Sequence, residues 1–297
     1  MVRVAMQLLV QTIIDGLLVG GLYVAISIGF SLAFGVLDVV DFAVGEWVML
    51  GAFAGVASRA WLGIDPIAFL PVVFIIFASI GLLVAPLIYR VRTSRYARPA
   101  LMALAFTFGI AMFARGVMLT GVGFDPRTVE THLVGGTLMI GGIHIPWLRL
   151  AGFIFAIVST ALFMGFLFFT RTGLAVRATA QNKRNASLMG IDVKRLSGLV
   201  YAIYAGLTAM AGVLIGAIYS FTAQVGPQYS LLAFFVVVMA GLGSVGGVLV
   251  AGLFLGMLQA LVTVYVGADY TLAIVFGVLF LILLVSPQGV LRRGLAA

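Results

Sequence analysis

Long apolar runs follow one another along the whole chain with only short polar intervals between them, and this pattern is the strongest constraint on its fold. The first run alone covers 8–34. About 20 consecutive apolar residues carry a helix across the core of a bilayer, where a spanning backbone must satisfy its own hydrogen bonds. With 63% hydrophobic and 9% charged residues, the chain is far from the composition of a soluble domain. The sequence therefore predicts an all-α integral membrane protein.

The length of 297 residues limits the architecture further. At about 20 residues per span there is room for eight or nine transmembrane segments and no separate soluble domain. We expect one polytopic transmembrane domain over 1–297, built as a helical bundle with broken helices. The run 8–34 lacks a small-residue cleavage site, so we interpret it as a retained span rather than a signal peptide. The absence of cysteine excludes disulfides, thiolate metal sites and cysteine nucleophiles.

The basic residues show how the chain is oriented. The net charge is +8, and most of the 17 Lys and Arg residues fall in 90–98, in 171–195 and at Arg292 and Arg293. Short loops rich in Lys and Arg stay on the cytoplasmic side of a membrane. Membrane orientation therefore explains the charge, and we expect no nucleic-acid partner.

The segment 171–195 is the longest strongly polar and basic interval of the chain. Its middle, 177–189, contains no Gly or Pro, which predicts a short helix, and Gly190 can close that helix in the left-handed conformation. A charged helix on the cytoplasmic side is typical of a contact with a soluble partner. A basic loop that only sets the membrane orientation is the alternative.

The order of residues in this segment resembles a known family. The segment 171–195 resembles the coupling segment of LivH/LivM-type permeases, the membrane subunits of ABC importers for branched-chain amino acids, and we call it the coupling segment. The residues that carry the resemblance are Arg177, Ala178, Gln181, Asn182, Ala186, Leu188, Gly190 and Ile191. The resemblance implies that these residues dock into a groove of an ATPase subunit. It extends over nearly the whole chain.

A first interruption of the apolar pattern covers 38–46. Asp38 and Asp41 precede Gly45 and Glu46 here, and apolar sequence resumes at once. The segment is either an ordinary loop with solvated acids or a helix broken inside the membrane, which is tolerated where it lines a polar cavity. The resemblance favours the second interpretation and assigns to the translocation path Asp38, Asp41, Phe42, Gly45 and Glu46. Asp41 stands where the family usually has Asn, and Val44 where it usually has His, so the resemblance leaves the solute open.

A second interruption covers 241–247. The apolar block before it, 230–240, is too short to span as a helix and predicts a half-helix that ends in a glycine-rich break. Residues that match the glycine motif of the same family are added to the predicted path: Gly241, Gly243, Ser244 and Gly247. Gly246 replaces the usual Pro of that motif. No Lys-Ser or Lys-Thr follows these glycines, which excludes a phosphate-binding loop.

Near the C-terminus, 286–291 resembles the closing motif of the family, and Arg292 and Arg293 are expected to hold the end of the chain in the cytoplasm.

The external side of the molecule carries four further predictions. In the long external segment 121–147, two short apolar runs around Gly141 and Gly142 predict a β-hairpin. His132 and His144 lack zinc-site spacing and are interpreted as surface residues. Asp15 is placed at the membrane–water interface. Arg115 is expected to extend its guanidinium to that interface, and pairing with a carboxylate or carbonyl group inside the bundle is the alternative. Three spans before 90–98 place the N-terminus outside, whereas Arg3 weakly favours the inside.

No catalytic, metal or nucleotide constellation is present in the sequence, so we expect a non-enzymatic subunit without a cofactor, with ATP and Mg on partner chains. The resemblance implies a permease of the bacterial inner membrane that works by alternating access and contacts lipid. Its implied partners are two ABC ATPases, a periplasmic binding protein and a second permease, either LivM-like or a copy of this chain.

Two alternatives for the transported solute and the mechanism remain open. Related ABC permeases carry urea, short amides or small carboxylates instead of branched-chain or other hydrophobic amino acids. A secondary transporter or channel that works without an ATPase would need charged residues in the middle of the membrane, and it would not need 177–191.

Overall fold

The computed structural model describes residues 2–94, 98–133, 135–140, 142–286 and 289. Apart from one small hairpin, its regular elements are helices. The elements are α1 (Val2–Leu37), α2 (Val44–Leu62), α3 (Leu70–Arg92), α4 (Pro99–Val122), β1 (Thr137–Ile140), β2 (Ile143–Pro146), α5 (Trp147–Phe169), α6 (Arg171–Gln181), α7 (Lys183–Leu188), α8 (Val193–Ile218), α9 (Gly226–Ala240), α10 (Val245–Tyr265), a 3-10 turn (Ala268–Tyr270) and α11 (Thr271–Val285).

The number of full spans is smaller than the eight or nine that we predicted. Within the described residues, 7 helices are long and apolar enough to cross a membrane. The 19-residue α2 is less apolar, and the 15-residue α9 is too short. Each of them follows a stretch of non-helical backbone, 38–43 before α2 and 219–225 before α9, which connects it to the preceding long helix. The excess arose because the count rested on about 20 residues per span, whereas α1 alone has 36 residues.

Contacts at the two ends of α1 show on which side of the bundle the N-terminus lies. Near its start, Arg149 at the external end of α5 donates to the Asp15 carboxylate at 2.8 Å. At the other end of α1, Arg92 in the basic C-terminal turn of α3 donates to the Asp38 carboxylate at 2.5 Å. The start of α1 therefore lies on the same side of the bundle as the hairpin, and its end lies on the side of the basic terminus of α3. The Asp15 side chain is 27% exposed and pairs with Arg149, and its placement at the interface stays a prediction.

Small residues allow the central helices to pack closely. On α1, Gly16 and Gly20 face the backbone of α10 around Gly256, so that any Cβ at these positions would meet main-chain atoms. On α8, Gly212 lies against the backbone of Val48 in α2 in the same way. Close backbone approach through small residues is the usual route to helix association in lipid. Helices α1 and α8 are consequently the most buried spans.

The two halves of the chain repeat each other in opposite orientation. Helix α1 ends at Leu37 and α2 begins beside Gly45, while α8 ends at Ile218 and α9 begins at Gly226. Leu37 and Ile218 are separated by the same number of residues as Gly45 and Gly226. The same separation relates Tyr23 to Tyr204 and Gly35 to Gly216. Helix α1 runs inward and packs along α10, whereas α8 runs outward and packs along α3. This arrangement is an inverted-topology repeat, which many transporters use to build a site at the repeat interface.

The external segment is an ordered cap. The predicted hairpin is confirmed, with Ile140 paired to Ile143, although Gly141 of its turn lies outside the described residues. Both histidines are exposed, as expected. Burial alone would raise the pKa of Asp65, but hydrogen bonds from the backbone N–H groups of His132 and Ile67 and from the Thr131 hydroxyl hold that pKa below its usual value. This carboxylate ties the cap to the loop before α3.

Candidate functional site

The N-terminal ends of α2 and α9 meet where the two halves of the chain cross. Gly45 lies so close to Gly226 that a Cβ on Gly45 would meet the Gly226 carbonyl oxygen. A Cβ on Gly226 would in turn meet the Glu46 carboxylate. Two helix N-termini, each with a partial positive charge, therefore face one acidic side chain. The sequence places a glycine at both positions because only hydrogen fits between the two backbones.

Ser230 joins the broken segment 38–46 to α9. Its hydroxyl accepts a hydrogen bond from the Gly45 N–H at 2.9 Å and donates one to the Phe42 carbonyl oxygen at 2.9 Å. One side chain thus satisfies two backbone groups that the interrupted helix leaves without helical partners. The ring of Phe42, by contrast, is 40% exposed and packs edge-on against Phe108 of α4.

Asp41 is buried deep in the bundle. Its carboxylate accepts hydrogen bonds from the hydroxyls of Tyr201 at 2.8 Å and Tyr204 at 3.0 Å, and from the Ala43 N–H at 2.8 Å. At 1.5 Å per residue, the two tyrosines lie about 12 and 17 Å along α8 from its first residue, near the middle of a core about 30 Å thick. Asp41 therefore joins the break in α1–α2 to the central helix of the second half.

Glu46 forms an ion pair with Arg115 of α4. Two guanidinium nitrogens of Arg115 donate to Glu46 Oε1, and the carboxylate is 2% exposed. The expectation that Arg115 extends its guanidinium to the interface is wrong, because this buried carboxylate offers it a partner inside the bundle. Glu46 Oε2 is buried without a hydrogen-bond partner among the described residues. At the crossing, Glu46 Oε2 thus lies beside the start of α9 and accepts no hydrogen bond from the described residues.

The second predicted break, 241–247, is found at the cytoplasmic end of α9. Gly241 and Gly243 have positive φ angles of 94° and 85°, and the Ser244 hydroxyl caps α10 by accepting from the Gly247 N–H at 3.2 Å. The preceding helix starts at Gly226 rather than at residue 230, where we expected its beginning. Near the C-terminus, Gly289 packs against Gly241; the rest of the closing motif beyond Ser286, with Arg292 and Arg293, lies outside the described residues.

The two breaks approach each other only at their cytoplasmic edges. A Cβ on Gly243 would lie 3.7 Å from the Gly35 Cα, just before the first break. Gly35, Asp38 and Leu242 line a cavity of about 670 Å³ on this side of the bundle. Asp41, Phe42, Gly45 and Glu46 do not reach the second break; they lie against α4, α8 and α9 instead.

The coupling segment forms the floor of the same cavity. Lys183, the first residue of α7, donates through Nζ to the Leu37 carbonyl oxygen at the end of α1, at 2.9 Å. Burial lowers the pKa of the Lys183 ammonium, and the nearby Asp38 carboxylate opposes this shift. Asp38 itself has a positive φ of 56° and is held by Arg92. The first turn of α7 is therefore attached directly to the place where α1 ends.

The coupling segment folds as two helices instead of the single one that we predicted. Asn182 interrupts the helix and caps α7, accepting from the Asn185 N–H at 3.0 Å. As expected, Gly190 ends the segment with a φ of +84°. Arg177 is half-buried and lies over the Phe168 ring at 4.8 Å, which holds α6 against α5.

The tip of this segment is an exposed apolar surface. Leu188 and Met189 are 78% and 84% exposed beyond the end of α7, while Ala186 beneath them is buried. Ala178 and Ile191 are half-buried, and Gln181 and Asn182 are exposed. Exposed apolar side chains surrounded by charge are typical of a docking site for another protein. Among the described residues, no group of His, Asp and Glu could hold a metal ion.

Comparison with known proteins decides the family. The family model described as "Branched-chain amino acid transport system / permease component" matches residues 12–284. The chain belongs to this family. The permease is 30% identical to the high-affinity branched-chain amino acid transport system permease protein LivH of Salmonella typhimurium, with 95% of each chain covered. It is 29% identical to LivH of Escherichia coli and to BraD of Pseudomonas aeruginosa, again over 95% of each chain. No solved structure matches the permease.

Several residues of the permease that build the site were not predicted as site residues from the sequence. Lys183 is one of several basic residues in 171–195, and Gly226 and Ser230 belong to no motif that we identified. A signal was present in the sequence: Val44-Gly45 recurs as Val225-Gly226 at the same distance that separates Gly35 from Gly216. The same separation relates Tyr204 to Tyr23, but no comparable signal marks Tyr201, since a tyrosine in an apolar helix is an ordinary core residue.

Proposed function

We propose that this chain is the membrane-spanning subunit of an ATP-driven importer in the bacterial inner membrane and that it carries branched-chain or other hydrophobic amino acids. A periplasmic binding protein delivers the solute to its external cap. Two ATPases act on the cytoplasmic side, and a second permease, LivM-like or a copy of this chain, completes the path. ATP and Mg are bound by the ATPases, and this chain contributes no catalytic group.

The observation that carries the proposal is the position of the coupling segment in a chain of this family. Its apolar tip, Leu188 and Met189, is presented to the cytoplasm, while its other side is attached to α1 through Lys183. An amphipathic segment that inserts into a groove of a partner is a common mode of recognition. A carrier that works without an ATPase has no use for such a surface.

In our proposal, ATPase movement reaches the solute path through the contacts between α7 and α1. A displacement of α7 pulls on the end of α1 through Lys183 and Leu37, and the same end carries the Asp38–Arg92 ion pair. The next residues lead to Asp41 and to the crossing of α2 with α9. Nucleotide and binding protein change the equilibrium between outward-open and inward-open states only if each binds one state more tightly. In our proposal α7 and the external cap are the two surfaces where this difference arises.

The proposed solute rests on the relatives, all three of which are named for branched-chain amino acid transport. The translocation path in our proposal contains the crossing with Asp41, Phe42, Gly45 and Glu46 and, on its cytoplasmic side, Asp38, Gly241, Gly243, Ser244 and Gly247. Gly45 and Gly226 are in contact in this structure, so the path is closed at the crossing. Opening requires the two halves to separate at this contact.

Uptake of radiolabelled leucine tests the proposed function. The chain is produced together with the ATPases, the second permease and the binding protein of its importer, in cells without their own branched-chain uptake. We expect saturable uptake that stops when ATP is depleted and when Leu188→Ser and Met189→Ser are introduced together, with loss of ATPase co-purification. Asn185→Ser, an exposed polar change on the same helix, is the control. Uptake that persists without the ATPases contradicts the proposal, and uptake of urea, amides or carboxylates in place of leucine contradicts the proposed solute.

A further inference from the structure

A second cavity opens on the external side of the bundle, between α1, α5 and α10. Its volume is about 360 Å³, within the range of small-molecule sites. It reaches from the outer end of α1 down to Tyr23, whose hydroxyl donates to the Gln259 side chain at 2.5 Å and closes its inner end. The predicted translocation path does not include any of these residues.

The cavity has a polar stripe that lipid would not tolerate. Gln11, Asp15 and Tyr23 lie on one face of α1, and Gln259 lies on the facing side of α10. Ionisable and amide side chains inside a transmembrane helix are costly unless they face water or a polar partner. The cavity therefore opens to water or solute, or to another subunit, and not to lipid.

The charges of the cavity are held in fixed positions. The Arg149 guanidinium donates to Asp15 Oδ1 at 2.8 Å, and the Gln11 side chain donates to Asp15 Oδ2 at 2.9 Å. Gln11 is itself held by the backbone of His144 in the hairpin, through one hydrogen bond in each direction. The side chains of Arg149 and Asp15 remain 30% and 27% exposed. A pair with this exposure contributes little to stability, so its precise positioning by the hairpin points to another role.

We propose that this cavity is an external binding site for the zwitterionic head group of an α-amino acid. The ammonium group of the solute binds the Asp15 carboxylate, and its α-carboxylate binds the Arg149 guanidinium. The Asp15–Arg149 ion pair is thereby replaced by two ion pairs with the solute. The apolar wall formed by Val19, Gly256 and Ala260 receives the aliphatic side chain. This inference rests on the proposed function and assigns its solute class to two named side chains.

The geometry explains why both charges are needed at one site. An acid and a base side by side match a molecule that carries an ammonium group and a carboxylate group on the same carbon atom. Arg is well suited to the carboxylate because its planar group donates in parallel to both oxygens. A solute with only one of the two charges leaves the other protein charge without a partner after the pair has been separated.

Uptake kinetics of the complete importer in proteoliposomes test this site. We expect Asp15→Asn and Arg149→Gln each to raise the KM for leucine about tenfold or more, because each removes one charge-assisted contact. The ATPases should still co-purify with both variants. With the wild-type importer, 4-methylpentanoate and 3-methylbutylamine, which each lack one charge of leucine, should compete at least about tenfold more weakly than leucine itself.

Two further variants separate binding from a purely structural ion pair. The exchange Asp15→Arg with Arg149→Asp keeps an ion pair but reverses the charges relative to the apolar wall, so we expect it not to restore the KM. Asp125→Asn, an exposed external acid without an ion pair among the described residues, is the matched control and should keep the wild-type KM. Recovery by the exchanged pair, or a wild-type KM in both single variants, overturns the site while leucine import itself stands. An importer that carries no amino acid contradicts the proposed solute and this site together.

Discussion

Gly45 and Gly226 pack backbone against backbone at the point where the first helical turns of α2 and α9 cross. The two glycines occupy equivalent positions in the inverted halves of the chain, so each half supplies one side of the contact. Helix ends that meet inside a bundle place several backbone N–H groups in one location. Here Ser230 and Glu46 are the side chains that satisfy or face those groups.

The first prediction concerns this contact. Gly45→Ala should lower the thermal stability of the detergent-solubilised chain by the equivalent of about 1–3 kcal/mol and should reduce uptake, because the new methyl group overlaps the Gly226 carbonyl. Thermal unfolding followed by size-exclusion chromatography measures the first effect. Gly109→Ala is the control, since its methyl group meets only open space on α4. Equal stability of the two variants would show that the crossing is loosely packed.

The second prediction concerns the buried ion pair of Glu46 and Arg115. Removing one partner leaves an unpaired charge inside the bundle, which typically costs about 3–5 kcal/mol. Glu46→Gln and Arg115→Gln should therefore each reduce the amount of folded chain in the membrane, and the double variant should recover much of it. Fluorescence-detected chromatography of tagged variants gives these amounts. If the losses in the double variant are additive, the two side chains do not interact.

The third prediction separates assembly from coupling at Lys183. Lys183→Met removes the hydrogen bond to the Leu37 carbonyl oxygen but leaves the apolar tip unchanged, so the ATPases should still bind. ATP hydrolysis should continue while leucine uptake falls about tenfold or more, since loss of the charged hydrogen bond weakens the link by roughly 1.5–3 kcal/mol. Lys194→Met removes the same charge from an exposed position of 171–195 and is the control. Normal uptake by Lys183→Met contradicts the proposed route.

The fourth prediction concerns orientation, and the absence of native cysteine makes it simple to test. Gln7→Cys and His132→Cys should react with a membrane-impermeant maleimide in intact cells, because both positions are exposed at the external side. Ser94→Cys and Ser187→Cys should react only after the cells are opened. Protection of Gln7→Cys in intact cells, with labelling of His132→Cys, would place the N-terminus inside.

The sequence by itself determined the class of this protein and predicted its orientation and its coupling segment. Hydrophobicity and the positions of Lys and Arg are properties of short stretches, so they can be read without knowing which helices touch. The same holds for the hairpin and for the left-handed turn at Gly190. The seven long spans lie in apolar runs that are visible in the sequence.

The tertiary structure alone decided which partners the polar residues of the membrane interior have. Asp41 with Tyr201, Glu46 with Arg115, and Lys183 with Leu37 join residues that are far apart in the chain. Most apolar residues are compatible with many neighbours in a bundle, so nothing local in their pattern selects these pairs. The contact of Gly45 with Gly226 depends on how the inverted halves cross, and that crossing is set by close packing of whole helices.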